Sequence, residues 1–342
     1  MNLARPLVLL DPHPRTNAMI FHRADRERLD AMADVITVEA GAVPDDAVEA
    51  CLPRVTAILG QTALPGARLA RAPHLRAVLN VEGNFFPNVD YATCFARGIR
   101  VACAAPAFAR PVAEYALALA LDLARGITQA DRLFRLGQER YGWRGNLAAE
   151  TLFGAPVGLV GFGNIARALL PLLRPFHCTV RAYDPWLPPT LLHEHGVMPA
   201  TLTEVLERSR MVFVLAAPTA HNRHLIGAPE LACMAPGAGL VLVSRAGVVD
   251  YAALHTALRE GRIKAAIDVF PAEPPAADDP LRTCTAAVLS SHRAGGLDSA
   301  LKTIGEMAVD DLDLVLRGLP PVRMQAAQPE TVGLQRSPPG LR

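Results

Sequence analysis

The sequence predicts an α/β protein of two domains built on mainly parallel sheets, and three observations carry that prediction. At 342 residues the chain is long for one hydrophobic core and comfortable as two. Short apolar runs alternate with helix-like segments from the start: Leu7 to Leu10, Val35 to Val38, Ala57 to Leu59, Ala77 to Asn80 and Ile99 to Ala102. After a polar, aromatic-containing stretch from Gln138 to Asn146, a second and more regular series of βα units begins at Val157.

Between the two series, apolar positions from Val112 to Arg125 fill almost the whole circumference of a helix, and Pro111 sits where a first-turn proline is tolerated. Such a helix is expected to be buried, between domains or against a second copy of the chain. A domain boundary is expected near residue 104. From Arg323 onward the sequence is rich in Gln, Pro and Ser with few large apolar groups. Ordering it would cost entropy without burial to offset it, so residues 323–342 are expected to form a frayed tail.

With 34 basic and 33 acidic side chains, no long-range field is available to draw nucleic acid or an anionic membrane surface, so a small-molecule partner is expected. The apolar run at Leu7 to Leu10 is too brief for a signal peptide, and the richest stretch, Ala116 to Leu121, stops at Asp122. Cysteines 51, 94, 103, 178, 233 and 284 contain no C-x-x-C pair, which suggests neither a metal site nor a disulfide framework. A protein of the reducing cytoplasm, outside the membrane, is the expectation.

Val157-Gly158-Leu159-Val160-Gly161-Phe162-Gly163-Asn164-Ile165-Ala166 reads as a strand, a glycine turn and a helix start, the context that gives the dinucleotide fingerprint its meaning. Gly161 would permit the tight turn, Gly163 would let backbone approach a pyrophosphate, and Ala166 takes the small-residue position where helix meets strand. The helix's first N–H groups would then face the phosphates. The next strand, Thr179 to Tyr183, ends at Asp184, about 20 residues on, where a ribose diol would lie. An extra phosphate would meet that negative charge, which favours NAD, while Arg181 keeps NADP as the lesser alternative. The bland alternative is a glycine-rich turn in an ordinary sheet with Asp184 in a solvated loop; strand, spacing and acid together weigh against it.

Three more strands end in polar groups: Leu240 to Ser244 leads to Arg245, Ala265 to Phe270 leads to Glu273, and Val288 to Ser291 ends at His292. In an open α/β sheet the crevice beyond the carboxyl ends of the strands binds ligands, so these groups can converge on one cofactor. Singly, each has an ordinary reading as a cap, a loop acid or a satisfied histidine. Together, downstream of the fingerprint, they point to a site.

At this point the sequence resembles the D-isomer-specific 2-hydroxyacid dehydrogenases, a family that includes phosphoglycerate and glyoxylate/hydroxypyruvate reductases. The resemblance runs from about Leu75 to Val322 and rests on the turn at Gly161, on Pro218 to Gly237 with His224-Leu225-Ile226-Gly227, on Ser244-Arg245, on Asp268-Val269-Phe270 with Glu273-Pro274, and on His292 with Gly295. It implies a Rossmann-type NAD-binding domain, residues 104–295, inserted into a flavodoxin-like substrate domain of residues 1–103 and 296–322. It implies Arg245, Glu273 and His292 as the catalytic set. Gly161, Gly163, Asn164, Ile165, Asp184, Pro218 and Asp268 would lie at the cofactor, with Asp184 on the adenosine ribose and Asp268 near the nicotinamide carboxamide. The loop Asn80 to Asn84 would offer backbone N–H groups, at Gly83 and Asn84, to the substrate carboxylate beside Arg245. It further implies a homodimer with the helix after Pro111 in its interface, closure across two hinges, and D stereochemistry.

The chemistry explains the residue types. Hydride arriving at a carbonyl carbon builds negative charge on oxygen, so a proton donor and a fixed cation lower the barrier. His292 would give the proton, Arg245 would hold carboxylate and carbonyl oxygens through its planar fork, and Glu273 would favour the imidazolium. In the oxidative direction the neutral imidazole would take the hydroxyl proton.

Several positions depart from the family pattern. The usual Asn three before the arginine is Leu242, the glycine after it is Ala246, Thr-Pro before the histidine is Ser290-Ser291, Arg293 stands where a small or apolar residue is common, and a frequent Asn is Phe108. These put the substrate in question. Arg293 could read an extra acidic group or be solvated; Phe85 and Phe86 could line a pocket or be core. The rival readings are a formate or phosphite dehydrogenase on the same scaffold, the former disfavoured by Glu273 where a glutamine would be expected, and an NADH-sensing binding protein without catalysis.

Overall fold

The computed structural model describes residues 5–334. It divides into two compact units, Met1–Phe108 with Gly296–Arg342, and Ala109–Gly295. Each holds one sheet, and both sheets are essentially parallel, the α/β class expected from the alternation of apolar runs.

The first unit contains β1 (Leu7–Asp11), β2 (Asp34–Ile36), β3 (Val55–Gly60), β4 (Ala77–Asn80) and β5 (Arg100–Cys103). Their order is β5-β4-β3-β1-β2, all parallel, the flavodoxin-like arrangement. Residues along a strand alternate between two cores. Val8, Leu10, Ala57, Leu59 and Leu79 pack on one face with Ile304, Met307 and Leu312. Leu7, Leu9, Ile58 and Val78 pack on the other with Val48, Leu52 and Leu69. Burial on both faces explains why these strands read as continuous apolar runs.

The helix spanning the unit boundary, α1 (Ala105–Arg125), begins earlier than the proline suggests, with Pro111 inside it and not in its first turn. Its first turn holds because Ala104 and Ala107 are buried in the core around β4 and β5, and that packing offsets the hydrogen bond Pro111 cannot donate. The two compact units part within this helix, after Phe108. Val112, Ala113, Ala116, Leu119, Ala120 and Leu123 are buried by the chain itself.

The expected frayed tail also needs correction. Gln325–Ala326 forms a short strand antiparallel to β5, and Pro329–Val332 is helical. The sequence hid the reason: Asp311, 0% exposed on α2 (Asp298–Leu316), accepts the backbone N–H groups of Val322, Arg323 and Met324. Arg323 adds ion pairs to Glu306 and Asp310. Polar anchoring adds to the burial of Met324 and Val332 in the two cores. The remainder of that expectation, residues 335–342, lies outside the described residues.

The second unit contains β6 (Pro156–Val160), β7 (Thr179–Tyr183), β8 (Met198–Pro199), β9 (Met211–Val214), β10 (Gly239–Leu242), β11 (Lys264–Ile267) and β12 (Ala287–Leu289). The order is β8-β7-β6-β9-β10-β11-β12, with every pair parallel. Chain order reverses between β6 and β9. This is the doubly wound Rossmann topology, and the reversal creates a crevice outside the carboxyl ends of those two strands.

Candidate active site

Because the seven strands of the second unit are parallel, the segments that follow them share one edge of the sheet. Along that edge come the turn Gly161–Gly163 after β6, Asp184 after β7, Pro218 after β9, Arg245 after β10, Asp268 and Glu273 after β11, and His292 after β12. Residues scattered along the sequence are collected there by topology alone.

The glycine turn has the geometry a dinucleotide requires. Gly161 adopts φ +93°, and a Cβ there would stand 2.8 Å from the backbone N and Cα of Ala216, so no side chain fits. Gly163 is exposed, and its Cβ direction is open, with nothing within 4 Å. It caps the helix Asn164–Leu173 without a side chain, so the positive end of the helix dipole lies beneath open space. Ala166 is buried where the helix meets the sheet. Asp184 is fixed by its own loop: Phe162 N–H donates to Oδ2 at 2.8 Å and Trp186 N–H to Oδ1 at 3.0 Å. Each carboxylate oxygen keeps a second lone pair, which suits a ribose diol. Glycine turn, helix terminus and carboxylate together fit NAD.

His292 Nδ1 lies 2.6 Å from Glu273 Oε2. The Glu273 side chain is 17% exposed and the His292 ring 30%. Phe270 N–H donates to Glu273 Oε1 at 2.9 Å, which holds the carboxylate in place. With Nδ1 engaged, Nε2 is the nitrogen left for a reacting group. Arg245 is half-buried at the end of β10, and its Nη1 donates to the Ser244 carbonyl at 2.7 Å.

The turn carrying His292 is held by a network that the sequence did not disclose. His292 adopts φ +49°, a left-handed conformation that is costly for a residue with a Cβ. Its N–H donates to the Asp268 carbonyl at 2.8 Å. The Asp268 side chain then accepts Ser290 Oγ at 2.5 Å, Arg293 N–H at 3.0 Å and Ala294 N–H at 3.1 Å. Ser290 Oγ in turn lies 2.6 Å from Tyr115 Oη. Asp268, expected beside a carboxamide of the cofactor, is 0% exposed, and its side chain anchors the turn that carries His292. Tyr115 and Ser290 were missed, and the one signal in the sequence was the Ser290-Ser291 departure from the family pattern.

Phe85 and Phe86 are core, 4% and 5% exposed. Arg293 is exposed. In the first unit, Gly83 and Asn84 are half-buried in the loop after β4, whose backbone is tied by the Asn80 carboxamide oxygen accepting Glu82 N–H at 2.8 Å. Among the described residues, no helix is long and apolar enough to cross a membrane, and no group of three His, Cys, Asp or Glu side chains is placed to hold a metal.

Comparison with known proteins agrees with this geometry. Residues 117–294 match the family model of the D-isomer specific 2-hydroxyacid dehydrogenase NAD binding domain. A glyoxylate reductase of Korarchaeum cryptofilum is 33% identical over 253 residues, covering 73% of this chain and 76% of that protein. A D-3-phosphoglycerate dehydrogenase of Methanocaldococcus jannaschii is 32% identical over 244 residues, 70% of this chain but 46% of the relative. The chain thus spans about half the length of the curated phosphoglycerate dehydrogenases it matches. The crystal structure of a phosphoglycerate oxidoreductase from Rhizobium etli superposes with a TM-score of 0.86 at 42% identity, covering 96% of this chain and all of that one. The chain belongs to the D-isomer specific 2-hydroxyacid dehydrogenase family, whose NAD-binding domain it carries.

Proposed function

We propose that the protein interconverts a 2-oxo acid and its D-2-hydroxy acid with NAD, and that His292 is the acid/base. The observation that carries this reading is the His292–Glu273 contact of 2.6 Å on the sheet edge that also bears Arg245 and the nucleotide turn. When bound, NADH supplies the hydride. His292, oriented through Nδ1 by Glu273, gives a proton from Nε2 to the developing alkoxide, and takes it back in the oxidative direction. Arg245 offers a planar cation to the substrate carboxylate and carbonyl oxygens. In the first unit, the loop carrying Gly83 and Asn84 is the segment proposed to meet a substrate carboxylate. Gly161, Gly163, Asn164, Ile165 and Pro218 hold the pyrophosphate side of the cofactor, and Asp184 accepts from its ribose hydroxyls, a placement that disfavours a 2′-phosphate and hence NADP.

The same reading includes a homodimer. From Ile127 to Phe153 the second unit exposes Phe134, Leu136, Tyr141, Trp143 and Leu147, each more than 60% accessible. A patch of this kind on one stretch of chain is what a second copy would cover. Six free cysteines suit a reducing cytoplasm.

The test is a panel of glyoxylate, hydroxypyruvate and larger 2-oxo acids with NADH and NADPH, followed by absorbance at the reduced-cofactor band. Turnover with NADH is the expected result. Tight NADH binding with no turnover across the panel would favour a sensor, and oxidation of phosphite or formate in place of hydroxy acids would favour the other rival. Sedimentation at micromolar concentration tests the dimer.

A further inference from the structure

The loop proposed to receive the substrate carboxylate carries a carboxylate of its own. Glu82 immediately precedes Gly83, and its side chain is 10% exposed. An anion there should repel an anionic substrate, and the structure shows what cancels it. Arg15, from the segment after β1, reaches across so that Nη2 lies 2.6 Å from Glu82 Oε2, and the Arg15 side chain is itself 17% exposed. The guanidinium sits over the Phe108 ring, 5.5 Å from its centroid. That same ring lies under Gly83, where a Cβ would come within 3.1 Å of it.

Three residues from distant parts of the sequence thus meet around one glycine. Phe108 supports the backbone of Gly83, and Arg15 is pinned between the aromatic face and Glu82. Its geometry is not optimised for its own hydrogen bonding, because Arg15 Nε is buried without a partner. An unmade buried donor is costly and calls for an explanation beyond local stability.

We propose that Arg15 is a positioning residue for the substrate loop: it neutralises Glu82 and, through Phe108, holds Gly83 ready for an anionic substrate. The inference rests on the 2-oxo acid reading above and deepens it. In a poorly solvated pair, removing one partner leaves the other charge uncompensated. The two partners therefore have opposite effects on an incoming anion, which a packing role alone does not produce.

The test is a double-mutant cycle in the full chain, with glyoxylate as substrate and NADH affinity measured separately by fluorescence. Arg15→Met should raise KM for glyoxylate by about tenfold or more, with kcat and NADH affinity within about twofold of the parent. Glu82→Gln should leave KM unchanged or lower it, and the double variant should recover most of what Arg15→Met loses. If Arg15→Met fails to fold, Glu82→Gln and Arg15→Lys decide: the lysine variant keeps the charge and should stay close to the parent KM. A rise in KM with Glu82→Gln as large as that with Arg15→Met, or no recovery in the double variant, overturns the inference while the parent's turnover leaves the activity standing. A parent protein without turnover on any 2-oxo acid overturns both.

Discussion

Replacing Asp268 with Asn tests whether the His292 turn is held as described. The side chain is fully buried and accepts three hydrogen bonds, from Ser290 Oγ, Arg293 N–H and Ala294 N–H. An amide has one accepting oxygen. If that oxygen keeps Ser290 and Arg293, the new NH2 group faces the Ala294 N–H; in the opposite orientation the NH2 group can donate to Ser290 Oγ but faces the Arg293 N–H. At about 1–3 kcal/mol for each buried group left unsatisfied, the better orientation, with the Arg293 N–H stranded, costs about 1–3 kcal/mol. That is a large share of a stability of about 5–15 kcal/mol. It corresponds to about 2–12 °C in unfolding midpoint at roughly 2–4 °C per kcal/mol. The left-handed His292 depends on the same anchor, so kcat should fall by about tenfold or more while NADH affinity stays within about twofold. Thermal unfolding and steady-state kinetics on 2-oxo acids measure the two effects. An Asn variant that melts with the parent and turns over at the parent rate would refute the assignment of Asp268 as the anchor.

His292→Ala should remove turnover far more than NADH affinity, since proton transfer belongs to the chemical step; equal losses in kcat and binding would show the ring to be structural. Asp184→Ser should relax the preference for NADH over NADPH, and an unchanged ratio of kcat/KM values would contradict the ribose assignment. Gly161→Ala forces a Cβ to 2.8 Å from the Ala216 backbone at φ +93°, so nucleotide affinity and stability should both fall, the latter by about 1–3 kcal/mol. Asp310 is held below the usual aspartate value of 3.8: burial opposes ionisation, and hydrogen bonds and charge from Arg28 and Arg323 outweigh it. A folded-state value below the unfolded one contributes stability that is present above about pH 4 and is lost as pH falls through the folded value. Asp310→Asn should therefore be less stable than the parent at pH 7, and the gap in urea midpoint should narrow in acid below pH 4; a gap independent of pH would remove the ion pairs from the account.

Much of this protein was legible in the sequence because the relevant physics is local or periodic. The parallel sheets follow from buried strands such as Leu7–Asp11 and Ala77–Asn80, whose runs are apolar on both faces. The nucleotide turn could be found because φ +93° at Gly161 and an open approach at Gly163 demand glycine at fixed spacing after a strand. Asp184, Arg245, Glu273 and His292 were visible as polar groups at strand ends, where a parallel sheet gathers them. What stayed hidden depends on partners far apart in sequence. Nothing in the region of Pro111 shows that Ala104 and Ala107 would be buried and carry the helix back to Ala105. The polar residues after Arg323 looked unfoldable because composition records missing apolar burial but not Asp311 waiting to accept three N–H groups. The chain by itself determined which elements form and which ends of strands carry chemistry, since periodicity and backbone sterics are properties of neighbours. Only the tertiary structure decided that Tyr115, Ser290 and Asp268 brace the histidine turn and that Arg15 answers Glu82, because hydrogen bonds and charge pairs act through space between residues whose separation in sequence carries no signal.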